Sequence, residues 1–173
     1  KTTNGSVGCG MSHLSVLKEA RDKKMPYILV CEDDVIFSNP DQLTQKIKNL
    51  EKEDWDVLLL GGNAFHPYSI FNEDAYRIHK CFTTTAYIVR EHYYDTLIEC
   101  WDIALKNLIR SIDLNYSLDK AWFPLQERDK FLLIKPLSVY QRTGYSDICN
   151  EVVSYKNLML SPDKELIDDN KDA

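Results

Sequence analysis

The sequence reads Tyr27-Ile28-Leu29-Val30-Cys31-Glu32-Asp33-Asp34-Val35 where an apolar run ends in consecutive acids. A short continuous apolar run of this kind predicts a fully buried strand. Like charges beside a low-dielectric wall repel each other strongly, and a hard divalent cation such as Mg²⁺ or Mn²⁺ relieves that repulsion. We therefore expect a metal ion and a phosphate-bearing ligand at the carboxyl end of this strand, where open α/β sheets place their ligands.

A second interpretation of the acidic triplet is a solvated turn in which one carboxylate caps the following helix. The residues behind the triplet, Val35-Ile36-Phe37, are apolar again and enclose the acids. This return to apolar residues favours the metal interpretation.

Length and composition set the limits of the protein class. A chain of 173 residues favours one domain, and a net charge of −6 argues against general affinity for nucleic acid. No apolar run approaches about 18 residues, so no transmembrane segment is expected. The 5 cysteines are widely spaced and include no C-x-x-C pair, which argues against a disulfide framework or a zinc site. Together with the lack of a secretory signal, this favours a soluble, cytoplasmic protein.

The periodicity predicts an α/β fold with a mixed sheet flanked by helices. One domain is expected over residues 1–160, followed by a polar tail over 161–173. The predicted helices cover 8–23, a segment beginning near Asn39, 90–109 and 113–122. The predicted strands cover 27–31, 55–60 (ended by Gly61-Gly62), 75–79, 83–89, 131–134 and 136–140.

Several short motifs, taken in order, carry a resemblance to a known family. They are Gly8-Cys9-Gly10-Met11-Ser12-His13, the acidic stretch Ile28 to Val35, Asp56-Val57-Leu58-Leu59-Leu60-Gly61-Gly62, Thr84-Thr85-Ala86-Tyr87-Ile88-Val89, Ile112-Asp113, and Gln141-Arg142-Thr143-Gly144-Tyr145-Ser146-Asp147-Ile148. This order resembles glycosyltransferase family 25, the lipopolysaccharide and procollagen galactosyltransferase group. The resemblance runs from about residue 7 to about residue 150.

The resemblance implies a GT-A type fold and an inverting, metal-dependent transfer reaction. The implied donor is a UDP-sugar, with galactose or glucose as the sugar, and the implied acceptor is a hydroxyl group of a glycan or of a hydroxylysine-type protein side chain. The acid motif Glu32-Asp33-Asp34 would play the D-x-D role with Mn²⁺ (or Mg²⁺). A metal ion would neutralise the diphosphate leaving group.

Site residues follow from matching these motifs. Glu32 and Asp34 are the expected metal ligands, completed by Asp147, which as an alternative is a turn aspartate. Asp33 would lie near the ribose or have a structural role. The expected donor contacts are Gly8, Ser12, His13 and Gln141, of which Ser12 and His13 are placed in the first turn of the first helix, where free N–H groups favour phosphate.

Asp113 is the expected catalytic base, although it could equally be the N-cap of the following helix. Asp119, later on the same predicted helix, is the alternative base. Asn63 and His66 follow the glycine pair and would contact the acceptor or only decorate a loop, and the nearby Phe65, Tyr68 and Phe71 would stack on a sugar or pin that loop.

The sequence departs from the family at its start. Family members open with a strand of I-N-L type that forms much of the nucleoside pocket, and no such strand precedes Gly8. We therefore expect a fold that is incomplete at the N-terminus, an isolated chain that binds nucleotide-sugar weakly, and a sheet edge available to a second copy in a homo-oligomer. A catalytically inactive glycosyltransferase-like binding module is the alternative function, and a structural metal-binding domain is a third.

Overall fold

A six-stranded mixed sheet with helices on both faces organises the part of the chain that the computed structural model describes, residues 3–146 and 148–162. The helices are α1 (Thr3–Asp22), α2 (Pro40–Leu50), α3 (Tyr94–Ser111), α4 (Leu118–Ala121), α5 (Phe123–Arg128) and α6 (Lys156–Leu160). The strands are β1 (Tyr27–Cys31), β2 (Val35–Phe37), β3 (Val57–Ala64), β4 (Tyr68–Ile70), β5 (Ala75–Ile78), β6 (Cys81–Arg90), β7 (Phe131–Ile134), β8 (Val139–Gln141), β9 (Gly144–Ser146) and β10 (Glu151–Val153). The predicted α/β class with a mixed sheet is confirmed.

The main sheet has the order β1-β6-β3-β7-β5-β4. Strands β3 and β7 are parallel, and the other neighbours are antiparallel. Outside this sheet, β2 pairs with β8 and β9 pairs with β10. The β2–β8 pair matters for function because it begins directly after the acidic triplet.

Two apolar cores lie on the two faces of the sheet. Successive side chains of the central strand β3 belong alternately to one core and to the other. Val57 and Leu59 belong to the core beneath α1 and α3, whereas Leu58 and Leu60 belong to the core beneath α2. Since successive side chains of a strand point to opposite faces, a strand covered on both faces must be apolar throughout. This explains the continuous apolar run in β3.

The prediction of a fully buried first strand is wrong. Strand β1 lies at the edge of the sheet, and Tyr27 and Leu29 are 57% and 52% exposed. Only the alternate residues Ile28 and Val30 pack against the core beneath α1 and α3. The apolar run therefore reflects a strand that is covered on one face.

The first helix begins earlier than predicted, at Thr3 instead of near Gly8. Ser12 and His13 consequently lie in the middle of α1. Their backbone N–H groups belong to the interior of the helix, so they cannot bind phosphate in the way that the free N–H groups of a helix N-terminus do.

The glycine pair does not end β3, contrary to the prediction, because the strand continues to Ala64 with register shifts at the glycines. A Cβ atom on Gly61 would lie 2.8 Å from the carbonyl oxygen of Val139, and one on Gly62 would lie 2.5 Å from Cys81 Sγ. The glycines allow β3 to pass close beneath β8 and β6.

The remaining predicted elements are found with shifted ends. Asn39 caps α2 by accepting a hydrogen bond from the Gln42 N–H, and the strands predicted at 75–79, 83–89 and 131–134 correspond to β5, β6 and β7. The segment predicted as a helix from Asp113 is a 3₁₀ turn, Leu114–Tyr116, followed by α4. Among the residues described, none of the helices has the length and apolar character needed to span a membrane.

Candidate functional site

A cavity of about 570 Å³ opens at the carboxyl ends of β1 and β3 and at the start of the antiparallel β6. This volume is in the range of small-molecule sites. Helices α1, α4 and α6 and strands β8 and β9 also contribute to its walls. Its lining includes Ser6, Cys9, Glu32, Asn63, Phe65, Phe82, Thr83, Thr84, Ser117, Asp119, Lys120, Gln141, Ser146, Cys149 and Tyr155.

Glu32 lies in the wall of this cavity, directly after β1. Its backbone N–H donates to the carbonyl of Thr85, which continues the pairing of β1 with β6. Its carboxylate accepts from Thr84 Oγ1 at 2.8 Å through Oε1 and from Gln141 Nε2 at 2.6 Å through Oε2. The two hydrogen bonds fix both oxygens of Glu32 in orientation.

Asp34 is joined to the same group by the pairing of β2 with β8. Val35 is the register partner of Gln141, and the Arg142 N–H donates to the Asp34 carbonyl at 2.8 Å. Gln141 Nε2, which serves Glu32, also lies 3.5 Å from Asp34 Oδ1. The structure therefore brings Glu32, Asp34 and Gln141 together.

The surroundings of Glu32 and Asp34 disfavour the ionised form of both carboxylates. Burial raises the pKa of Glu32, and the nearby charges of Asp34 and Asp119 raise it further, while the hydrogen bonds from Thr84 and Gln141 act in the opposite direction. Burial also raises the pKa of Asp34, with Asp33 adding to the effect. A bound cation would remove this penalty, because it favours the ionised form of each acid.

His13 is buried beside Glu32 and stays neutral near pH 7, because burial lowers its pKa to about 4. Its Nδ1 lies 2.6 Å from the hydroxyl of the fully buried Tyr87, and its Nε2 lies 4.0 Å from Glu32 Oε1. The contact with Glu32 is therefore not an ion pair. Cys9 Sγ, His13 and Glu32 offer ligand atoms that lie within 4.8 Å of one another.

Three buried oxygen atoms on the cavity-lining residues have no hydrogen-bond partner among the described residues. They are Asn63 Oδ1, Thr83 Oγ1 and Gln141 Oε1. Thr83 also adopts a left-handed φ of 69°, which costs a β-branched residue free energy. Buried polar atoms are normally paired, so these three atoms are available to accept hydrogen bonds from water or from a ligand in the cavity.

The two candidate bases, Asp113 and Asp119, lie in different environments. Asp113 is exposed and caps the 3₁₀ turn by accepting from the Asn115 N–H at 2.9 Å. Asp119 lines the cavity, and Ser117 Oγ donates to its Oδ1 at 2.7 Å. The N-cap interpretation of Asp113 is therefore observed, and a carboxylate in the cavity wall is supplied by Asp119.

Some predicted donor contacts lie away from the cavity. Gly8 and Ser12 are exposed, and Ser12 Oγ donates back to the Gly8 carbonyl at 3.0 Å. Asp33 is also exposed and does not line the cavity. Asp147, the predicted third metal ligand, lies outside the described residues.

Asn63 lines the cavity, whereas His66 lies at the surface and stacks on Tyr68 with ring centroids 4.3 Å apart. Phe65 also lines the cavity, together with Phe82, and the two rings meet edge to face at 5.5 Å. The aromatic pair in the wall is suited to contact an apolar face of a ligand.

Thr84, Thr83 and Cys9 were not identified from the sequence. A signal existed for Cys9, because positions 9 and 13 are one helical turn apart and face the same side of α1. The two threonines had no signal of their own, because their role depends on the antiparallel pairing of β6 with β1.

Comparison with known proteins gives a match over much of the chain. The family model for "Glycosyltransferase family 25 (LPS biosynthesis protein)" matches residues 1–111. This range includes Cys9, His13, Glu32 and Asp34. Asp113, Asp119, Gln141 and Asp147 lie beyond it.

Individual relatives match shorter stretches. "Procollagen galactosyltransferase 2" of Mus musculus is 37% identical over 65 residues, which are 34% of this chain and 10% of that protein. "Procollagen galactosyltransferase 2" of Homo sapiens is 36% identical over 63 residues. "Inactive glycosyltransferase 25 family member 3" of Homo sapiens is 35% identical over 69 residues, which are 38% of this chain and 12% of that protein. The matched region thus spans about a tenth of the length of these relatives.

Proposed function

We propose that this chain, which belongs to glycosyltransferase family 25, carries the metal and donor site of an inverting GT-A type glycosyltransferase. The proposed reaction moves galactose or glucose from a UDP-sugar to a hydroxyl group of a glycan or a hydroxylysine-type acceptor. One observation carries the proposal. The cavity combines the carboxylates of Glu32 and Asp119 with buried oxygens of Asn63, Thr83 and Gln141 that lack hydrogen-bond donors among the described residues.

Sugar hydroxyl groups are suitable partners for these oxygens, because a hydroxyl group donates a hydrogen bond. A site built to accept such bonds discriminates strongly against ligands without them, since the buried acceptors would then stay unpaired. Phe65 and Phe82 in the same wall could cover an apolar face of the sugar ring.

The acidic character of the cavity supports metal dependence. Glu32 and Asp119 line it and Asp34 lies beside Glu32, whereas the proposed donor carries an anionic diphosphate. Glu32 and Asp34 fit a hard divalent ion, because they place oxygen ligands around one shared amide, and such ions often bind one or two carboxylates plus substrate phosphates. Mn²⁺ or Mg²⁺ would supply Lewis-acid stabilisation of the departing diphosphate. Asp147 remains the proposed third ligand, and Lys120 in the cavity wall could add a positive charge.

Inversion requires one carboxylate to take the proton of the acceptor hydroxyl. The acceptor oxygen then forms a bond to the anomeric carbon, the bond from that carbon to the diphosphate oxygen breaks, and UDP carries away the electron pair. Asp119 is the better placed base because it lines the cavity. Asp113 remains the base predicted from the family motif.

The metal and donor assignment is tested with a panel of UDP-sugars and the purified chain. Transfer or donor hydrolysis should require Mn²⁺ or Mg²⁺, stop with a chelator, and be lost in Asp34→Asn. Asp95→Asn is the matched control, because the Asp95 side chain is 84% exposed on α3. Metal-independent turnover, or full activity of Asp34→Asn, would refute the assignment. Calorimetry with UDP-galactose and Mn²⁺ tests the expected weak binding, which low-micromolar affinity would contradict.

The base assignment is tested by comparing Asp119→Asn with Asp113→Asn. Loss of a general base costs roughly 10²–10⁴-fold in rate, so Asp119→Asn should lower kcat by that factor while KM changes little. Asp113→Asn should leave both kcat and stability nearly unchanged, because asparagine keeps the side-chain oxygen and caps about as well as aspartate. A larger loss of kcat in Asp113→Asn than in Asp119→Asn would identify Asp113 as the base.

A catalytically inactive binding module is the second candidate. The observation in its favour is that relatives named as inactive or probable inactive family members match this chain about as closely as those named as galactosyltransferases, at 32–35% against 36–37% identity. A folded protein that ignores both metal and UDP-sugar in the assays above would favour this candidate.

A further inference from the structure

Cys9, His13 and Glu32 form a cluster with mixed ligand chemistry at the cavity wall. Cys9 and His13 are one turn apart on α1, and Glu32 follows β1 across from them. A thiol sulfur, an imidazole nitrogen and a carboxylate oxygen from these residues lie within 4.8 Å of one another. The proposed reaction uses only Glu32 in a defined role.

We propose that Cys9 Sγ, His13 Nε2 and Glu32 Oε1 bind a divalent transition-metal ion of the zinc class. Two ligands on one turn of a helix and a third from a neighbouring strand are a common way to build such a site. The widely spaced cysteines had argued against a zinc site, but that expectation considered pairs of cysteines in sequence and not a cysteine with a histidine one turn later.

The distances suit a tetrahedral ion after small side-chain rotations. Zinc bonds of about 2.0–2.3 Å at tetrahedral angles separate ligand atoms by roughly 3.3–3.6 Å. His13 Nε2 and Glu32 Oε1 already lie 4.0 Å apart. All three ligand atoms lie within 4.8 Å of one another, so they would need to approach by about 1 Å to bind one ion.

Neighbouring residues hold two of these ligands in the required orientation. His13 Nδ1 contacts the Tyr87 hydroxyl at 2.6 Å, which leaves Nε2 turned toward Glu32. Thr84 Oγ1 donates to Glu32 Oε1 at 2.8 Å. A hydrogen bond to the second nitrogen of a ligating histidine fixes its tautomer and ring orientation, and such outer partners tune metal affinity.

The Cys9, His13 and Glu32 ligands favour a different ion from the Mn²⁺ or Mg²⁺ proposed for the transfer reaction. Thiolate and imidazole favour zinc-class ions, whereas the carboxylates Glu32 and Asp34 suit Mn²⁺ or Mg²⁺. Three protein ligands leave a fourth position, and it would face the cavity because Cys9 and Glu32 both line it. Water or an oxygen of a bound ligand would occupy that position. Binding of this ion does not depend on the transfer activity.

Cobalt is a suitable probe because Co²⁺ occupies zinc sites and a thiolate ligand gives it a charge-transfer absorption band. The metal-free protein should bind Co²⁺ with that band and with the visible spectrum of a tetrahedral ion, and Zn²⁺ should displace it. Cys9→Ala should abolish the band, and Tyr87→Phe should weaken Co²⁺ binding by about 10–100-fold.

Matched controls separate this site from other thiols and from the transfer site. Cys31→Ala removes an exposed thiol of β1, and His92→Ala removes an exposed imidazole, so both should leave the band unchanged. Asp34→Asn should also retain it, even if that variant loses all transfer. Folding of each variant is checked by circular dichroism, and His13→Gln replaces Cys9→Ala if the latter does not fold.

The absence of a thiolate band in the folded wild-type protein would overturn the proposal, as would a band that survives in Cys9→Ala or His13→Gln. Loss of the band in Cys31→Ala would assign the thiolate to the surface and refute the site. Because the readout needs no donor or acceptor, an inactive enzyme leaves this test intact.

Discussion

Replacement of Gly61 by alanine should strain the close approach of β3 and β8. The new Cβ would lie 2.8 Å from Val139 Cγ1, 2.8 Å from the Val139 carbonyl oxygen and 2.9 Å from Val139 Cβ. Ordinary contacts of this kind are about 3.5–4.0 Å. Val139 is 1% exposed and its side chain is β-branched, so it cannot rotate away, and β8 itself must shift.

Overpacking of this kind costs roughly 1–3 kcal/mol of the free energy of unfolding. For a protein of this length, each kcal/mol corresponds to about 2–4 °C in the melting temperature, so Gly61→Ala should lower Tm by roughly 2–12 °C. Urea unfolding followed by tryptophan fluorescence measures the free energy, and calorimetry measures Tm.

The same shift should reach the site, because Gln141 is the last residue of β8 and its amide donates to Glu32 at 2.6 Å. Gly8→Ala is the matched control. A methyl group on Gly8 would meet no atom within 4 Å, and alanine is favoured over glycine in a helix by about 1 kcal/mol, so that variant should be more stable than the wild type. A Gly61→Ala protein as stable as the wild type would refute the close approach of the two strands.

Three further predictions concern charge. Asp74→Ala should cost up to about 3 kcal/mol, because it leaves the partly buried Lys46, whose side chain is 14% exposed, without its partner at 2.7 Å. The hydrogen bonds from Lys46 and Asn49 lower the pKa of Asp74 below its ordinary 3.8, so its contribution to stability is complete above about pH 4. That contribution is lost as pH falls through the lowered pKa, and acid unfolding of wild type and variant should converge there. Gln141→Leu should raise the pKa of Glu32, because it removes a hydrogen bond that stabilises the ionised carboxylate. Carboxyl ¹³C NMR titration measures the change.

Each of these predictions has its own control. Asp102→Ala removes an ion pair with Lys18 whose side chains are 42% and 35% exposed, and it should cost only about 0–1 kcal/mol, so an equal cost for Asp74→Ala would contradict the burial argument. An acid-unfolding difference that persists below the lowered pKa would contradict the sign of the linkage. Gln42→Leu, on the exposed surface of α2, should leave the Glu32 titration unchanged, and a Glu32 pKa unmoved in Gln141→Leu would show that the amide does not stabilise the carboxylate.

The sequence alone was sufficient for elements whose signals are local. Asn39 before Pro40 is a strong helix start, and the structure has the predicted helix there, with Asn39 as its N-cap. The alternating cores of β3 also follow from an apolar run that only two-sided burial explains. These features depend on residues within a few positions of one another.

Features that depend on distant pairing could not be predicted. Tyr27 and Leu29 are as apolar as buried residues, and their exposure results from the position of β1 at the sheet edge. The contact of Glu32 with Gln141 joins residues 109 positions apart through strands of three residues, which are too short to show periodicity. The family resemblance supplied the candidates, but only the structure separated Asp119 from Asp113.

Glu32 connects the two proposed metal sites and also distinguishes them. Its Oε2 accepts from Gln141 on the side of Asp34, while its Oε1 faces Thr84 and His13. A carboxylate can use its two oxygens for different partners, so a hard ion on one side and a zinc-class ion on the other are not mutually exclusive. Two cations sharing one carboxylate would nevertheless repel each other, and each would weaken the binding of the other. Burial is the main cause of the raised pKa of Glu32, and a cation on either side would favour its ionised form.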